Sequence, residues 1–339
     1  MSRGRAKRAA GARSAPAPPT ARPDPGGPEE LVRRASARSE PWSKLAIVLV
    51  LVFAALVFYL GMRPGGVGPI LAYTYGPPII ALVALVLFVV GALWSATHRP
   101  FLGRRRLPAF AALAVLVAVA SYPMPYPTSH EGRPSRVRFE LPVEGTWTVR
   151  WGGERGGNAL IVQPDRRYGL DLIVSEAGST LDPDAHADAG PARYRAFGRP
   201  VLAPADGEVV LVHDGEPDHE AGALGAGHAY GNHVALRVAE GEYVFLSNLL
   251  QGSIEVAQGE RVSAGQPIAR VGHSGASRVT AEPHLALHLQ DTPVPLRGEA
   301  IGWRFHGYEA DGERVEQGLP RGGLGHGAGR EGQKIRRLP

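Results

Sequence analysis

Two histidines, His284 and His288, punctuate the apolar run PHLALHLQD at residues 283–291. Neutral imidazole is a common metal ligand, and on a strand the side chains at i and i+2 share a face about 6.8 Å apart. A His-x-His pair therefore presents two imidazoles to one ion. Here position i+2 is Ala286, and the next histidine on that face lies roughly 13–14 Å along the strand. At Zn–N distances of about 2 Å, imidazoles so far apart do not easily share a metal. The run has the outline of a metal site with one donor missing.

Other residues able to do chemistry gather at 213–230, HDGEPDHEAGALGAGHAY, where His213, His219 and His228 stand among Asp214, Asp218 and Glu220. Imidazole and carboxylate suit zinc, but the spacing follows no metal motif. A long polar loop of this kind is read more simply as the rim of a binding groove. The chain has no cysteine, which excludes disulfides and every thiolate ligand or nucleophile.

These residues need a scaffold, and the chain divides into three textures. Residues 1–44 hold ten Lys/Arg against four Asp/Glu with Trp42 as the one aromatic, a solvated basic arm beside a membrane rather than a nucleic-acid reader. Apolar stretches follow at 45–62, 78–97 and 107–124, close to the roughly 20 residues that a spanning helix needs. Arg99, Arg104, Arg105 and Arg106 crowd the second connection, whereas the first carries only Arg63. Positive charge on the cytoplasmic side then puts the arm inside and everything after the third span outside. Residues 125–136 read as a linker. From 137 to 322, short β-branched runs alternate with glycine turns (TWTVRWGG, GEVVLVHDG, HVALRVAEGEYVFL), the texture of an all-β sandwich or barrel. Residues 323–339 are Gly/Arg-rich and are expected to be disordered.

The segment SIEVAQGERVSAGQPIARVGHSG resembles a duplicated hybrid motif. Biotin and lipoate carriers share that plan, but they need an acceptor lysine at a hairpin tip. The only lysines are Lys7, Lys44 and Lys334, so a carrier is excluded. The longer resemblance, over roughly 137–310, is to the lysostaphin-type zinc metallopeptidases that cleave peptide cross-links in bacterial cell walls. It rests on RRYGLDLIV, GRPVLAPADGEVV, YGNHVAL, the run from LSNLLQG to VGHSG, and EPHLALHLQD. The fold it implies is a barrel-sandwich hybrid behind a three-helix, all-α membrane segment.

In that family, zinc is held by the His and Asp of H-x-x-x-D and by the second His of H-x-H. The first His of H-x-H and a histidine in a central HL dipeptide assist catalysis. Carried onto this chain, Asp171 matches the aspartate ligand, and Arg167 stands four residues earlier. Asn248 occupies the central catalytic position, His284 matches the first His of the last motif, and Ala286 replaces the third ligand. One ligand of three and one catalytic histidine of two remain. If Arg167 sits where the first ligand would be, it can pair with Asp171 and supply the charge of the ion; alternatively Arg167 faces solvent and Asp171 caps a turn. His284 is read as a retained groove residue and His288 as an ordinary, partly exposed strand residue.

The apolar runs and their basic flanks predict a multi-pass protein of the bacterial cytoplasmic membrane, and the resemblance with its lost ligand positions implies an extracytoplasmic, catalytically inactive domain that takes no cofactor. The domain would bind peptidoglycan or regulate a cell-wall hydrolase. The alternative is an active zinc endopeptidase with a rearranged metal site built from loop histidines. Restoring histidine at 167, 248 and 286 together is expected to restore zinc affinity.

Overall fold

The computed structural model describes residues 41–98, 103–104, 106–153, 158–222, 227–276, 280–323 and 332–338. Most of the basic arm, residues 1–40, lies outside the described residues. Three helices follow: α1 (Pro41–Gly61), α2 (Val67–Thr97) and α3 (Leu107–Ala120). α1 and α2 are long and apolar enough to cross a membrane. α3 has 14 residues, about 21 Å at a rise of about 1.5 Å per residue, short of a hydrocarbon core of about 30 Å. The expectation of a second span starting at 78 also needs correction. α2 has 31 residues and runs through Pro77 and Pro78, a break that apolar helices tolerate when neighbouring helices compensate. Trp42, Ala46, Ile80, Ala84, Phe110 and Leu113 seal the three helices together. Gly91 is required there, because a Cβ would meet the Trp42 ring at 2.9 Å.

The expected linker is docked rather than loose. Tyr73 of α2 donates to the Met124 carbonyl at 2.5 Å and packs edge-on against Tyr126. Tyr126 is buried and its hydroxyl donates to Glu299 at 2.6 Å. Glu299 also accepts from the Ser129 amide at 2.8 Å and the Ser129 hydroxyl at 2.6 Å.

Twelve strands follow: β1 (Thr146–Gly152), β2 (Leu170–Ile173), β3 (Pro200–Leu202), β4 (Gly207–His213), β5 (Asn232–Ala239), β6 (Glu242–Leu249), β7 (Arg261–Val262), β8 (Pro267–Arg270), β9 (Leu285–Gln290), β10 (Phe305–Ala310), β11 (Glu313–Gly318) and β12 (Lys334–Arg337). Ten form one antiparallel sheet, ordered β11-β10-β12-β1-β2-β9-β6-β5-β4-β7, and β3 pairs with β8 apart from it. β12 corrects the expectation of a disordered tail after 322. It pairs with both β1 and β10, and Ile335 is fully buried. A glycine-rich composition hid a four-residue strand that gains two ladders and a core side chain.

Strand periodicity sorts the central sheet. Leu285, Leu287 and Leu289 of β9 face the core with Leu170, Leu172, Val234, Leu236, Val244 and Leu246, each burial stabilising by about 1.5–3 kcal/mol. Alternate residues must then point to the opposite face, among them Asp171, His233, Ala235, Phe245, Ser247, Ala286 and His288.

Candidate functional site

One transverse row crosses the central sheet on that second face. Asp171 pairs with Ala286, Ala286 with Ser247, Ser247 with His233, and His233 with His213. Paired residues in antiparallel strands share a face, with strands about 4.8 Å apart. The row therefore carries two polar groups, one around Asp171 and one around His233, separated by roughly three strand spacings, about 14 Å.

Both carboxylate oxygens of Asp171 are held by protein donors. Arg166 Nη2 donates to Asp171 Oδ1 at 2.5 Å, and the Thr280 hydroxyl donates to Oδ2 at 2.8 Å. The Asp171 side chain is 0% exposed and that of Arg166 is 9% exposed. His284 Nε2 lies 3.9 Å from Asp171 Oδ2. Its Nδ1–H donates to the Glu282 carbonyl at 2.7 Å, so the Nε2 lone pair accepts from Asn248 Nδ2 at 2.7 Å. The ring is thereby fixed as one neutral tautomer, and burial pushes its pKa below the ordinary value. Asn248 sits at φ +60° opposite a register shift between β5 and β6, a conformation that Asn adopts more readily than most residues.

Arg166 is the residue that sequence reasoning missed, and the expected Arg167–Asp171 pair is corrected by it. Successive turns bring Gln163 N to Leu160 O, Arg166 N to Gln163 O and Gly169 N to Arg166 O, so adjacent side chains leave the loop in different directions. Arg166 enters the cleft. Arg167 turns away from it, pairing with Glu131 at 2.7 Å and donating to the Tyr126 carbonyl at 2.5 Å. The alternative in which Arg167 faces solvent and Asp171 caps a turn fails as well, since Arg167 is largely covered and Asp171 lies in β2. Gly169 permits the loop's close approach, because a Cβ there would lie 3.0 Å from the Leu287 carbonyl of β9. Counting a fixed offset of four residues singles out Arg167; only the turn geometry selects its neighbour.

The residues present do not fit a zinc ion beside Asp171. Both carboxylate oxygens hold protein donors, a guanidinium stands against them, Ala286 offers no ligand atom, and the His284 lone pair is engaged by Asn248. His273 is a further histidine not singled out from sequence. Its ring lies 6.3 Å from that of His284, and burial, followed by the charges of His284 and His219, lowers its pKa to about 4.

The second group corrects the reading of the loop histidines. The loop is strapped down, with Gly252 N donating to Asp214 at 2.9 Å, Gln251 N to Asp218 at 3.0 Å and Glu216 N to Asn232 at 2.8 Å. His213 and His228 meet His233, which the sequence reading did not single out. The three ring centroids lie 4.8–5.1 Å apart. His219 is not part of this stack; its amide donates to the His273 carbonyl at 2.9 Å. His288 is fully buried rather than partly exposed and stacks on Phe245 at 5.1 Å. Tyr230 packs between His228, His233 and His288 and donates to Asp165.

Residues 192–297 match the model of peptidase family M23, and the chain thus carries a lysostaphin-type M23 domain. The match includes Asn248, His284 and Ala286; Arg166 and Asp171 precede it. Among solved structures, the catalytic domain of the prophage-encoded M23 protein EnpA from Enterococcus faecalis, an A109H mutant, is 19% identical, with 48% of this chain and 93% of that one covered at a TM-score of 0.30. The catalytic domain of lysostaphin from Staphylococcus simulans is 16% identical, with 45% and 86% covered at a TM-score of 0.27. A zinc-containing peptidase from Vibrio cholerae is 18% identical, with 49% of this chain and 39% of that one covered at a TM-score of 0.27. No curated protein matches the chain.

Proposed function

We propose that this M23 domain is catalytically inactive and works as a membrane-anchored, extracytoplasmic binding module that engages peptidoglycan peptide or regulates a cell-wall hydrolase. The observation that carries the reading is the Arg166–Asp171–Thr280 arrangement, in which a buried guanidinium supplies the positive charge that the family takes from zinc. A peptidase of this class needs three protein ligands and an open water position. Here the retained ligand is saturated and out of reach of solvent. α1 and α2 supply the anchor, and the shorter apolar α3, packed against them, makes the third crossing that puts the domain on the side opposite the basic arm. The cell-wall partner follows from the family.

The test uses the full chain in detergent. Muropeptide release from isolated cell walls is measured with and without chelator, together with retention of the protein on sacculi. Retention without release supports the proposal. Chelator-sensitive release overturns it in favour of the active endopeptidase, and neither release nor retention removes the cell-wall partner.

A further inference from the structure

Among the described residues of the β domain, the exposed large apolar side chains are Leu181, Val294 and Leu296. The last two, 46% and 53% exposed, share the segment TPVPLRG at 292–298. This loop is pinched at its neck, where Asp291 N donates to the Glu299 carbonyl at 3.2 Å and Glu299 N donates to Asp291 Oδ1 at 2.8 Å. At its tip Arg297 N donates to the Val294 carbonyl at 3.3 Å, and Leu296 has φ +62°. With Pro295 second and a positive φ third, the tip is a type II turn, whose third position suits glycine or asparagine. Leucine is strained there, and its side chain is more exposed than buried, so packing does not explain the choice. Leu296 N donates to the Tyr230 hydroxyl at 3.2 Å, which holds the backbone against the domain while the side chain stays open. Pro293 and Pro295 fix two further φ angles, and Arg297 beside them is exposed.

The neck of this loop is tied to the ends of the apolar helices. Glu299 holds Tyr126 and Ser129, Thr128 donates to the Ala300 carbonyl at 3.0 Å, and His130 Nε2 stands 3.2 Å from Asp291 Oδ2. Tyr126 packs on Tyr73 of α2. Ser129 abuts the α1–α2 turn, where a Cβ on Gly65 would lie 3.2 Å from its Oγ. At the same end of the helices Tyr59, Tyr75, Tyr122 and Met124 are exposed, the residue types that gather where a bilayer meets water. Seven residues folded back on themselves reach at most about 12 Å from their neck, and a headgroup layer is about 5–7 Å deep. A loop that starts beside the helix ends therefore has the length to enter that layer.

We infer that loop 292–298 is a second membrane contact: Val294 and Leu296 enter the boundary between headgroups and acyl chains, and Arg297 meets lipid phosphate. The inference rests on the anchoring by α1 and α2 proposed above. Apolar side chains gain at that boundary in proportion to the area they bury, and a neighbouring cation adds attraction to anionic lipid. A proline-stiffened tip loses little freedom on insertion. The contact holds the β domain at one height and orientation on the bilayer instead of leaving it to swing on its connection. A protein partner would cover the same side chains; the continuity of the neck with the helix ends favours lipid.

The chain has no cysteine, so single cysteines can carry an environment-sensitive dye. The experiment uses the full chain in nanodiscs of phosphatidylethanolamine and phosphatidylglycerol, with and without nitroxide-bearing lipid. Dye at Leu296→Cys should shift to the blue and be quenched by a shallow nitroxide, and adding Val294→Ser with Arg297→Gln should weaken the quenching. Leu181→Cys controls for insertion driven by the dye. Thr180 Oγ1 donates to Glu282 ahead of β9 at 2.6 Å, which puts Leu181 at the far end of that six-residue strand, roughly 20 Å from the loop; its dye should stay in water. Leu51→Cys, midway along α1 and 63% exposed, reports the anchor through a deep nitroxide. Quenching at 51 without quenching at 296 overturns the loop contact and leaves the anchor standing. Equal quenching at 181 and 296, or quenching indifferent to the double substitution, overturns it too. A dye at 296 shielded from water yet unquenched would place the loop against protein. No quenching at 51 overturns the anchor and the inference together.

Discussion

Removing the charge of Asp171 while Arg166 stays is the perturbation that the cleft should feel most. The carboxylate is fully buried and the guanidinium nearly so, and breaking such a pair from one side strands the other charge at a cost of about 3–5 kcal/mol. For a domain of some 150–250 residues, each kcal/mol moves Tm by about 2–4 °C, so Asp171→Asn should melt roughly 6–20 °C below the parent. Arg166→Met should fall by a similar amount. The double variant removes both charges and should recover most of the loss, because apolar replacement of a buried pair is often neutral or stabilising. The assay is thermal unfolding of the full chain in detergent, followed by the fluorescence of Trp147 and Trp303, both buried in the β domain. Melting of Asp171→Asn within about 2 °C of the parent would refute the ion pair.

The remaining predictions follow from the same geometry. Histidines at 167, 248 and 286 together should not restore zinc binding, contrary to the reading from sequence, because Arg166 still saturates Asp171 and position 167 turns away from the cleft; Arg166→His in place of Arg167→His, with Asn248→His and Ala286→His, should allow uptake, as read by metal analysis after dialysis. Glu299→Gln turns one of the two oxygens that accept from Tyr126 and Ser129 into a donor at about 1–3 kcal/mol, so limited proteolysis between 126 and 135 should quicken roughly tenfold. His233 and His273 have pKa values lowered from 6.5 to about 4 by burial, so the folded state resists their protonation. Their contribution to stability is complete above pH 6.5 and is lost as pH falls from 6.5 toward 4. Urea midpoints should drop over that window, and His273→Gln should flatten the drop; a flat parent profile would count against the buried neutral rings.

Much of the scaffold was legible because its signals are periodic. The alternation of Leu285, Leu287 and Leu289 with Ala286 and His288 fixes one strand and its two faces, and the apolar runs mark the helices. The second face was misjudged. Alternation reads as half-buried, yet Arg166, Thr280 and His228, from segments outside the strands, lie against it, and a single strand carries no sign of what will lie on top. The placements of Arg166 and Arg167 depend on consecutive turns, and β12 depends on pairing with strands far away in sequence. Spacing along the chain groups His213 with the loop histidines, whereas the sheet register brings His213 and His233 side by side.

Anomalous diffraction from crystals of the full chain grown with Zn2+ tests the account of the cleft most directly. No zinc peak should stand within bonding distance of Asp171, with Arg166 Nη2 retained on its carboxylate. An ion about 2 Å from either Asp171 oxygen, with Arg166 displaced, would contradict it.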